Sequence, residues 1–546
     1  MSEKLTPEQI AAHEAAEQAR RVYLPPGPPV ESYLRQAQAL VPELRSYPQA
    51  PIAIVEPRPN PAAPLRFDMS PSGDVAMLAS RCWRTGESFT VDFGGHRAGF
   101  LSFRLVPAGG MPDSPVRLRL TFGEVPTDVA EPLHPYRGWL SEAWLQEEIV
   151  TIDDLPQTVQ LPRRYAFRYV KVEVIAASSR FGVSFAEVTA HEVTSAIGVP
   201  ERLPEGLPDW CDRVDAVAQA TLRSCLQTCF EDGPRRDRRL WVGDLRLQAL
   251  ASYETYRAND VVKRCLYLFA GLTRSDGLVN GCVYERPVPT YADTVTFDYA
   301  ALYNVTLQEY VLATGDLATG QDLWPVAKRQ LELLCAAVGD DGLFVDTGAT
   351  WCFIDWSRSL ERSTAIQGVL IFALRRSWML ATMLGRAAEV AHYPDQIARL
   401  VAAARAHLLD PASGLFLSGP ARQLSCASQA WMVLAGVPES ADQARVALRQ
   451  VMASPDAVKP VTPYLYHYIV EAMVACGMND EALELIRQYW GGMVEAGADT
   501  FWEVYDPEEP LSSPYGDIHI NSYCHAWSCT PTYFIRSMLR DGHLKV

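Results

Sequence analysis

The densest group of chemically active side chains in the sequence lies in residues 230–244. Three carboxylates, Asp232, Asp237 and Asp244, alternate there with arginines, and the indole of Trp241 stands between the second and the third. A carboxylate whose surroundings tune its pKa can donate or accept a proton, and an indole offers a flat apolar face to a sugar ring. The stretch therefore suits acid–base chemistry on a carbohydrate.

A structural role accounts for the same residues. Asp232 or Asp237 could accept hydrogen bonds from free N–H groups at the start of a helix, with arginines paired to them. Four arginines are available for such a network: Arg235, Arg236, Arg238 and Arg239. Residue types alone leave both interpretations open.

A second candidate carboxylate, Glu503, stands far downstream beside Trp502 and close to Tyr505. Burial among aromatic rings raises the pKa of a carboxylate and can prepare it to act as a base. Alternatively, the tryptophan packs in the core and the acid reaches solvent. Further aromatic and acidic residues occupy predicted loops: Asp298, Tyr299, Trp351, Phe353, Asp355, Trp356, His525 and Trp527.

Two patterns describe the elements that would position these side chains. From about residue 66 to 195, apolar and polar residues alternate in short runs between Gly and Pro, for example in residues 88–93 and 116–122. This alternation predicts the strands of a β-sandwich. After residue 199 the apolar residues recur with the period of amphipathic helices.

Eleven helices are predicted in that second half. Antiparallel helix pairs that must bury both faces close into a double ring, so the pattern predicts an (α/α)6 barrel. The predicted helices cover residues 211–229, 244–256, 299–313, 323–337, 367–384, 395–408, 427–434, 442–452, 464–476, 481–489 and 531–539.

The 546 residues exceed one ordinary core, and a multidomain α+β chain with three domains is expected. Residues 1–65 are predicted to form a helical arm and a proline-rich strap. The β-sandwich follows in residues 66–198, and the (α/α)6 barrel in residues 199–546.

Composition excludes several classes of function. Hydrophobic residues make up 48% and charged residues 21%, which is typical of a globular protein. The net charge of -16 opposes binding to nucleic acid and to anionic lipid, so neither nucleic acid nor membrane is an expected partner. The N-terminal residues lack a signal-like apolar region, and the twelve cysteines contain no Cys-x-x-Cys pair. We therefore expect a cytoplasmic protein with reduced thiols and no metal site.

The stretch DGPRRDRRLWVGD at residues 232–244 resembles the signature DCPQRDERLGWTGD of bacterial α-L-rhamnosidases, glycoside hydrolase family 78. The likeness extends along the chain. Residues 91–94 (VDFG), 122–124 (FGE) and 167–170 (FRYV) are similar to the sandwich of that family. Residues 501–503 (FWE) and 525–528 (HAWS) are similar to its second catalytic segment and to the approach to the last barrel helix.

The stretch departs from the signature because it is one residue shorter and lacks the glutamate. Aligned backwards from Asp244, it places Asp237 on the general acid of the family, so a shorter side chain replaces glutamate. A gap after Leu240 would instead place Arg238 on the acid and predict a poor enzyme. We favour the first alignment because only it keeps a titratable acid.

The resemblance implies an inverting hydrolase of terminal α-L-rhamnosides that needs no metal or organic cofactor. Asp237 would protonate the leaving oxygen and Glu503 would activate water, with the two carboxyl groups about 6.5–9.5 Å apart. The flanking arginines would lower the pKa of an acid, so we expect them to bind Asp232 and Asp244 instead.

The same resemblance predicts the pocket. We expect its aromatic walls to be Trp241, Trp356 and Trp502. The polar contacts to the sugar are expected from Asp232, Arg236, Asp244, Asp298 and His525. The expected partner is a rhamnose-containing glycoside or oligosaccharide.

Two alternatives stay open at this point. The same barrel carries hydrolases and lyases for other sugars, because a fold does not fix a function. If Arg238 replaces the acid, the protein would be an inactive glycan-binding protein.

Overall fold

A sheet-rich part and a helical part follow one another along the chain. The computed structural model describes residues 24–292, 294–348 and 350–545. The strands of the first part lie between Arg45 and Thr194, and the barrel helices between Asp209 and Arg540. The predicted order of fold classes is therefore confirmed. The beginning of the predicted helical arm, up to residue 23, lies outside the described residues.

Nine strands form the connected sheet of the described first part, with the order β1-β9-β4-β8-β5-β6 and with β2, β3 and β7 paired beside it. The strands are β1 (Arg45–Gln49), β2 (Ala53–Pro59), β3 (Phe67–Gly73), β4 (Ser88–Ala108), β5 (Val116–Gly123), β6 (Glu147–Ile152), β7 (Gln157–Gln160), β8 (Tyr165–Ala176) and β9 (Gly182–Thr194). Short helices accompany them: α1 (Glu31–Ala39), α2 (Met77–Ser80) and α3 (Pro126–Ala130).

The long strand β4 belongs to two layers. Its first half pairs with β2 and β8, and its second half pairs with β7 and β9. Phe89 from the first half and Phe103 from the second both pack on Phe185 of β9, with ring centroids 5.0 and 5.6 Å apart. The two layers therefore close over one apolar core.

The proline-rich strap is part of this sheet. Residues of β1 pair with β9, and residues of β2 pair with β3 and β4. The sequence prediction began the sheet at residue 66, because prolines lack the N–H that a strand ladder uses. Pro48 lies on β1 at the edge of the sheet, where a missing donor is tolerated.

Twelve α-helices lie between residues 209 and 540, positions 293 and 349 aside. They are α4 (Asp209–Cys225), α5 (Val242–Glu254), α6 (Asn259–Gly271), α7 (Phe297–Thr314), α8 (Leu317–Cys335), α9 (Ser363–Met383), α10 (Tyr393–His407), α11 (Cys426–Leu434), α12 (Ala441–Ala453), α13 (Pro463–Ala475), α14 (Asn479–Glu495) and α15 (Pro531–Arg540). All eleven predicted helices are present, and α6 is the helix that the sequence prediction missed.

Alternate helices form the inner ring of the barrel. Contacts run from α5 through α7, α9 and α11 to α13, and α15 returns to α5. Phe534 of α15 packs on His467 of α13, with centroids 5.0 Å apart, which closes the ring. Residues 242–252 of α5 and 297–311 of α7 are buried on every side, as expected for inner helices.

A buried ion-pair network ties three inner helices together. Arg246 of α5 is fully buried and donates to Glu309 of α7 and to Glu471 of α13 at 2.6 to 3.1 Å. Two carboxylates compensate the single guanidinium, and the bidentate geometry fixes the spacing of the helices.

Two further findings bear on the expectations from composition. No helix among the described residues is long and apolar enough to cross a membrane. The twelve cysteines all lie in the described ranges and are free thiols.

Candidate active site

A pocket opens at the end of the barrel where inner helices begin. Asp244 lies in the first turn of α5 and Tyr299 in the first turn of α7, so the positive ends of two helix dipoles face the pocket. The residues that line it are Asp232, Arg236, Asp237, Trp241, Asp244, Tyr299, Trp351, Phe353, Trp356, Glu503, Tyr515, His525 and Trp527. The pocket therefore brings together the loop before α5 and the segment before α15, which lie near opposite ends of the helical part in the sequence.

Asp237 lies at a strained turn of the loop before α5. Its φ of 57° and the φ of 53° at Arg238 are both left-handed, a conformation that costs about 1–2 kcal/mol per residue for side chains other than glycine. Asp237 is half-buried and lines the pocket, and Arg238 does not line it. We call residues 232–239 the acid loop.

The guanidinium groups of the acid loop take partners other than Asp232 and Asp244, which corrects the prediction from the sequence. Arg235 binds Glu124 and Asp128 of the sheet-rich part. The other three take separate partners: Arg236 pairs with Glu503, Arg238 donates to the Arg235 carbonyl at 3.4 Å, and Arg239 covers the Tyr284 ring at 4.4 Å. Among the described residues, no side chain donates a hydrogen bond to Asp237.

Arg238 lies among other positive charges. Burial and the neighbouring guanidinium of Arg164 together lower its pKa to about 10. Arg164 itself pairs with Glu231. Arg238 therefore faces the sheet-rich part, away from the pocket.

Glu503 is buried and held by two donors. The Tyr515 hydroxyl donates to Oε1, and the Arg236 guanidinium donates to Oε2. Burial raises the pKa of Glu503 above its usual value, while Arg236 and Tyr515 oppose that rise and Asp237 adds to it. The two donors fix the orientation of the Glu503 carboxylate in the pocket.

Two further carboxylates belong to the same electrostatic group. Burial raises the pKa of Asp232 well above its usual value, and the nearby charges of Asp237 and Asp244 raise it further. Burial also raises the pKa of Asp244, with Glu503 and Asp237 acting in the same direction. Asp232 is held in place by the Arg239 N–H, which donates to its Oδ1 at 3.0 Å.

Several polar atoms of the pocket are buried and have no protein partner within the described part of the chain. They are Asp244 Oδ1, His525 Nδ1 and Trp356 Nε1. Burial lowers the pKa of His525 well below its usual value, and Arg236 acts in the same direction, so the imidazole is neutral. Buried polar groups are normally hydrogen-bonded, so these three atoms are available to a polar ligand in the pocket.

His525 lies between two carboxylates. Its Nδ1 is 3.6 Å from Asp244 Oδ1 and its Nε2 is 4.0 Å from Glu503 Oε1. Both distances exceed a normal hydrogen bond. A hydroxyl of a ligand could therefore insert beside the imidazole.

Of the ten residues predicted for the site, the structure brings eight into the pocket and leaves two outside. Trp502 is 1% exposed and packs on Tyr505 and Tyr523, with centroids 5.4 and 5.3 Å away, so it belongs to the core instead of the pocket wall. Asp298 is also buried away from the pocket. Its carboxylate accepts the N–H groups of Phe353 and Ile354 at 3.1 and 2.9 Å, and so anchors the loop before α9.

The structure adds five lining residues to the predicted set. Tyr299, Trp351, Phe353 and Trp527 belong to the aromatic loop residues that the sequence singled out without assigning them to the pocket. Tyr515 carried no signal, because it lies in a turn-rich stretch between Pro514 and Gly516.

Two family models match the chain. The glycosyl hydrolase family 78 alpha-rhamnosidase N-terminal domain matches residues 51–192. The bacterial alpha-L-rhamnosidase 6 hairpin glycosidase domain matches residues 209–539. The second match covers more than half of the chain and includes the acid loop, Glu503 and His525.

Solved structures give the same result. The chain is similar to a rhamnosidase from Klebsiella oxytoca with rhamnose bound, with 44% sequence identity, a TM-score of 0.91, and coverage of 94% of this chain and 99% of that one. It is similar in fold to a family 78 rhamnosidase of Bacillus sp. GL1 (23% identity, TM-score 0.72), covering 86% of this chain and 49% of that one. The Streptomyces avermitilis alpha-L-rhamnosidase complexed with L-rhamnose shares 17% identity, with a TM-score of 0.66 and coverage of 91% and 44%. A comparison with curated protein sequences finds no match.

Proposed function

The chain belongs to glycoside hydrolase family 78, the α-L-rhamnosidases, and on that premise we propose that it releases terminal α-L-rhamnose with Asp237 as general acid and Glu503 as general base. The protein is a glycoside hydrolase that acts on rhamnosides. The individual roles of its pocket residues are the proposal.

One observation carries these roles: Asp237 and Glu503 line the same pocket but are held differently. Glu503 is buried and fixed by Arg236 and Tyr515, which suits a base that must stay ionised. Asp237 is half-buried at the tip of a strained loop and accepts no side-chain hydrogen bond from the described residues, which suits an acid that must give a proton to the substrate.

The reaction follows from this arrangement. Glu503 takes a proton from a water molecule while the water oxygen attacks the anomeric carbon. The bond to the leaving oxygen breaks as Asp237 transfers its proton to that oxygen. Asp237 is then ionised and Glu503 protonated, and exchange with solvent restores both. Attack from the face opposite the leaving group inverts the anomeric configuration.

The remaining lining residues would hold the sugar. Asp232, Asp244 and His525 offer acceptors and a donor to its hydroxyl groups, and Asp244 and His525 have open positions for that purpose. Trp241 and Trp356 would cover the apolar C–H faces and the methyl group of a 6-deoxy sugar. A rhamnose-containing glycoside or oligosaccharide satisfies both sets of contacts.

The position of Asp237 supports the alignment that makes it the acid. The other alignment assigns that role to Arg238, which is turned toward Arg164 and the sheet-rich part. This position of Arg238 argues against the inactive glycan-binding alternative. The cytoplasmic location expected from the sequence stays a prediction.

The test is hydrolysis of a panel of 4-nitrophenyl glycosides followed by proton NMR of the first product formed. We expect release from the α-L-rhamnoside alone, with β-L-rhamnose appearing before mutarotation. Preferred cleavage of another glycoside would overturn the substrate, and α-L-rhamnose as the first product would overturn the inverting roles of Asp237 and Glu503.

A further inference from the structure

Trp139 is the most exposed tryptophan of the protein. All thirteen tryptophans lie in the described ranges, and Trp139 has 44% of its surface exposed whereas the other twelve are buried or half-buried. An indole held in place by hydrogen bonds and exposed on the surface presents a flat apolar face on which a ligand ring can stack.

The exposed indole is fixed by the loop that contains Tyr515, whose hydroxyl also binds the proposed base Glu503. Trp139 lies in residues 131–145, between α3 and β6, and its N–H donates to the Tyr515 carbonyl at 3.0 Å. Its indole Nε1 donates to the Pro514 carbonyl at 3.1 Å, and the rings of Trp139 and Tyr515 lie 5.5 Å apart. A third link joins the Arg137 N–H to Asp517 at 3.0 Å.

These contacts place Trp139 one ring beyond the pocket lining. Tyr515 lines the pocket and contacts Trp356, whose ring centroid lies 6.1 Å away. Aromatic rings thus continue from Trp356 through Tyr515 to Trp139 on the surface. A leaving group that emerges on the Tyr515 side of the pocket would meet this surface, to which the sheet-rich part contributes Trp139.

The neighbourhood of the indole favours a flat aromatic ring over a second sugar. The Nε1 donor of Trp139 is already used, so the indole offers only its apolar faces. Arg358 donates to the same Pro514 carbonyl at 3.4 Å, which brings a planar, exposed guanidinium beside it. Indole and guanidinium planes both stack on aromatic rings, whereas a sugar needs several hydrogen-bond partners.

We infer that Trp139 forms a leaving-group subsite for an aromatic aglycone, contributed to the active site by the sheet-rich part. This inference rests on the proposed function, because the subsite has a role only if the bond is cleaved in the pocket lined by Asp237 and Glu503. Trp139 touches the leaving group and takes no part in proton transfer.

The experiment compares three substrates: methyl, phenyl and glucosyl α-L-rhamnosides. For each, kcat/KM of the Trp139→Ala and Trp139→Leu variants is divided by the wild-type value, which cancels the intrinsic reactivity of the leaving group. Leucine keeps an apolar contact with Tyr515 but lacks a flat ring. We expect both variants to lose about two- to tenfold more on the phenyl than on the methyl or glucosyl substrate.

Controls separate this result from damage to the base. Trp139→Phe should retain most of the phenyl activity, and the inhibition constant of free rhamnose should stay unchanged in all variants. Met379→Ala, at a residue 45% exposed on α9, removes a similar exposed apolar group and should leave all three ratios at one.

Each other result contradicts the inference. Equal losses on all three substrates, with a shifted pH profile, would show that Trp139 acts through Tyr515 and Glu503. A selective loss on the glucosyl substrate would identify a sugar subsite. A wild-type enzyme that cleaves none of the three would overturn the proposed function and this inference with it.

Discussion

Arg235 of the acid loop binds Asp128 of the sheet-rich part through both terminal nitrogens, at 2.7 and 3.1 Å. Both side chains are 2% exposed. Arg235 also donates to Glu124 at 3.3 Å and to the His519 carbonyl at 2.6 Å. The sheet-rich part therefore fixes the backbone two residues before Asp237, and the two parts of the chain build one active site.

This ion pair leads to a prediction on stability. Asp128→Asn removes one charge and leaves the buried guanidinium of Arg235 with the weaker contact to Glu124. We expect the free energy of unfolding, measured in urea, to fall by about 3 kcal/mol. Asp154→Asn, an exposed aspartate of the same part, should change it by less than about 0.5 kcal/mol. Equal stabilities of the two variants would show that the pair has no net role.

The assigned acid can be tested by the choice of leaving group. Asp237→Asn should slow hydrolysis of a natural rhamnoside by about 10²- to 10⁴-fold, because its poor leaving group needs a proton. The loss should be much smaller for an activated aryl rhamnoside. Equal losses on both substrates would remove Asp237 from the acid role.

The assigned base should behave in the opposite way. Glu503→Gln should slow the natural and the aryl substrate alike, because water activation is independent of the leaving group. The matched control is Asp506→Asn, at an exposed carboxylate nearby in the chain, which should retain wild-type rates. A Glu503→Gln variant that is slow on one substrate only would contradict the assignment.

Tyr515 predicts a pH effect with a definite sign. Its hydroxyl lowers the pKa of Glu503, against the rise that burial causes. Tyr515→Phe removes the donor, so the pKa of Glu503 rises and the base is protonated at a higher pH. The acid limb of the pH profile of kcat/KM should therefore move to higher pH. The ranking of substrates by kcat/KM should stay the same. An acid limb that stays in place would mean that Glu503 does not set it.

The two tryptophans Trp356 and Trp502 should give opposite phenotypes. Trp356→Ala should weaken inhibition by free rhamnose about three- to tenfold, since it removes an aromatic wall of the pocket. Trp502→Phe should leave that inhibition constant unchanged and should lower the free energy of unfolding by roughly 1–3 kcal/mol, because it opens space in the core. Rhamnose affinity that depends on Trp502 would restore the original prediction from the sequence.

The sequence predicted the helices and strands whose apolar residues recur with a clear period. It did not predict those in which long apolar runs or prolines hide that period. Helix α6 contains Val261 and Val262 and then the nearly unbroken apolar run of residues 265–270, which can be a strand or a helix by period alone. The barrel buries this helix on most sides, so no polar stripe marks it. Strands β1 and β2 were hidden by their prolines for the reason given above.

The site shows what sequence can identify and what only the fold decides. Carboxylates among aromatic residues indicated Asp237 and Glu503, because these residue types are informative even when the orientation of the side chains is unknown. The orientation of the side chains decided the corrections for Trp502 and Asp298. Trp502 and Glu503 are adjacent, yet only Glu503 faces the pocket, and Asp298 turns to the N–H groups of the next loop. Tyr515 reaches Glu503 across a turn whose path the sequence does not specify.

A buried histidine between the two parts of the chain predicts how stability depends on pH. His96 of β4 lies 2.9 Å from Glu124 and 3.2 Å from Ser224. Burial alone would lower the pKa of His96, but the nearby Cys524 and the hydrogen bond with Glu124 outweigh it and raise the pKa from 6.5 to about 9. Between these two values the folded state binds a proton that the unfolded state has released.

The contribution of His96 to the free energy of unfolding should therefore be largest below about pH 6.5 and should fall as the pH rises toward 9. The slope from one such group is at most about 1.4 kcal/mol per pH unit. Urea unfolding at pH 6, 7, 8 and 9 measures it, and His96→Gln provides the comparison because it removes the titration of His96 together with its effect on the pKa of Cys524. The wild type should lose stability more steeply than His96→Gln across this window. Parallel curves would mean that His96 is neutral in the folded protein and binds Glu124 as an uncharged imidazole.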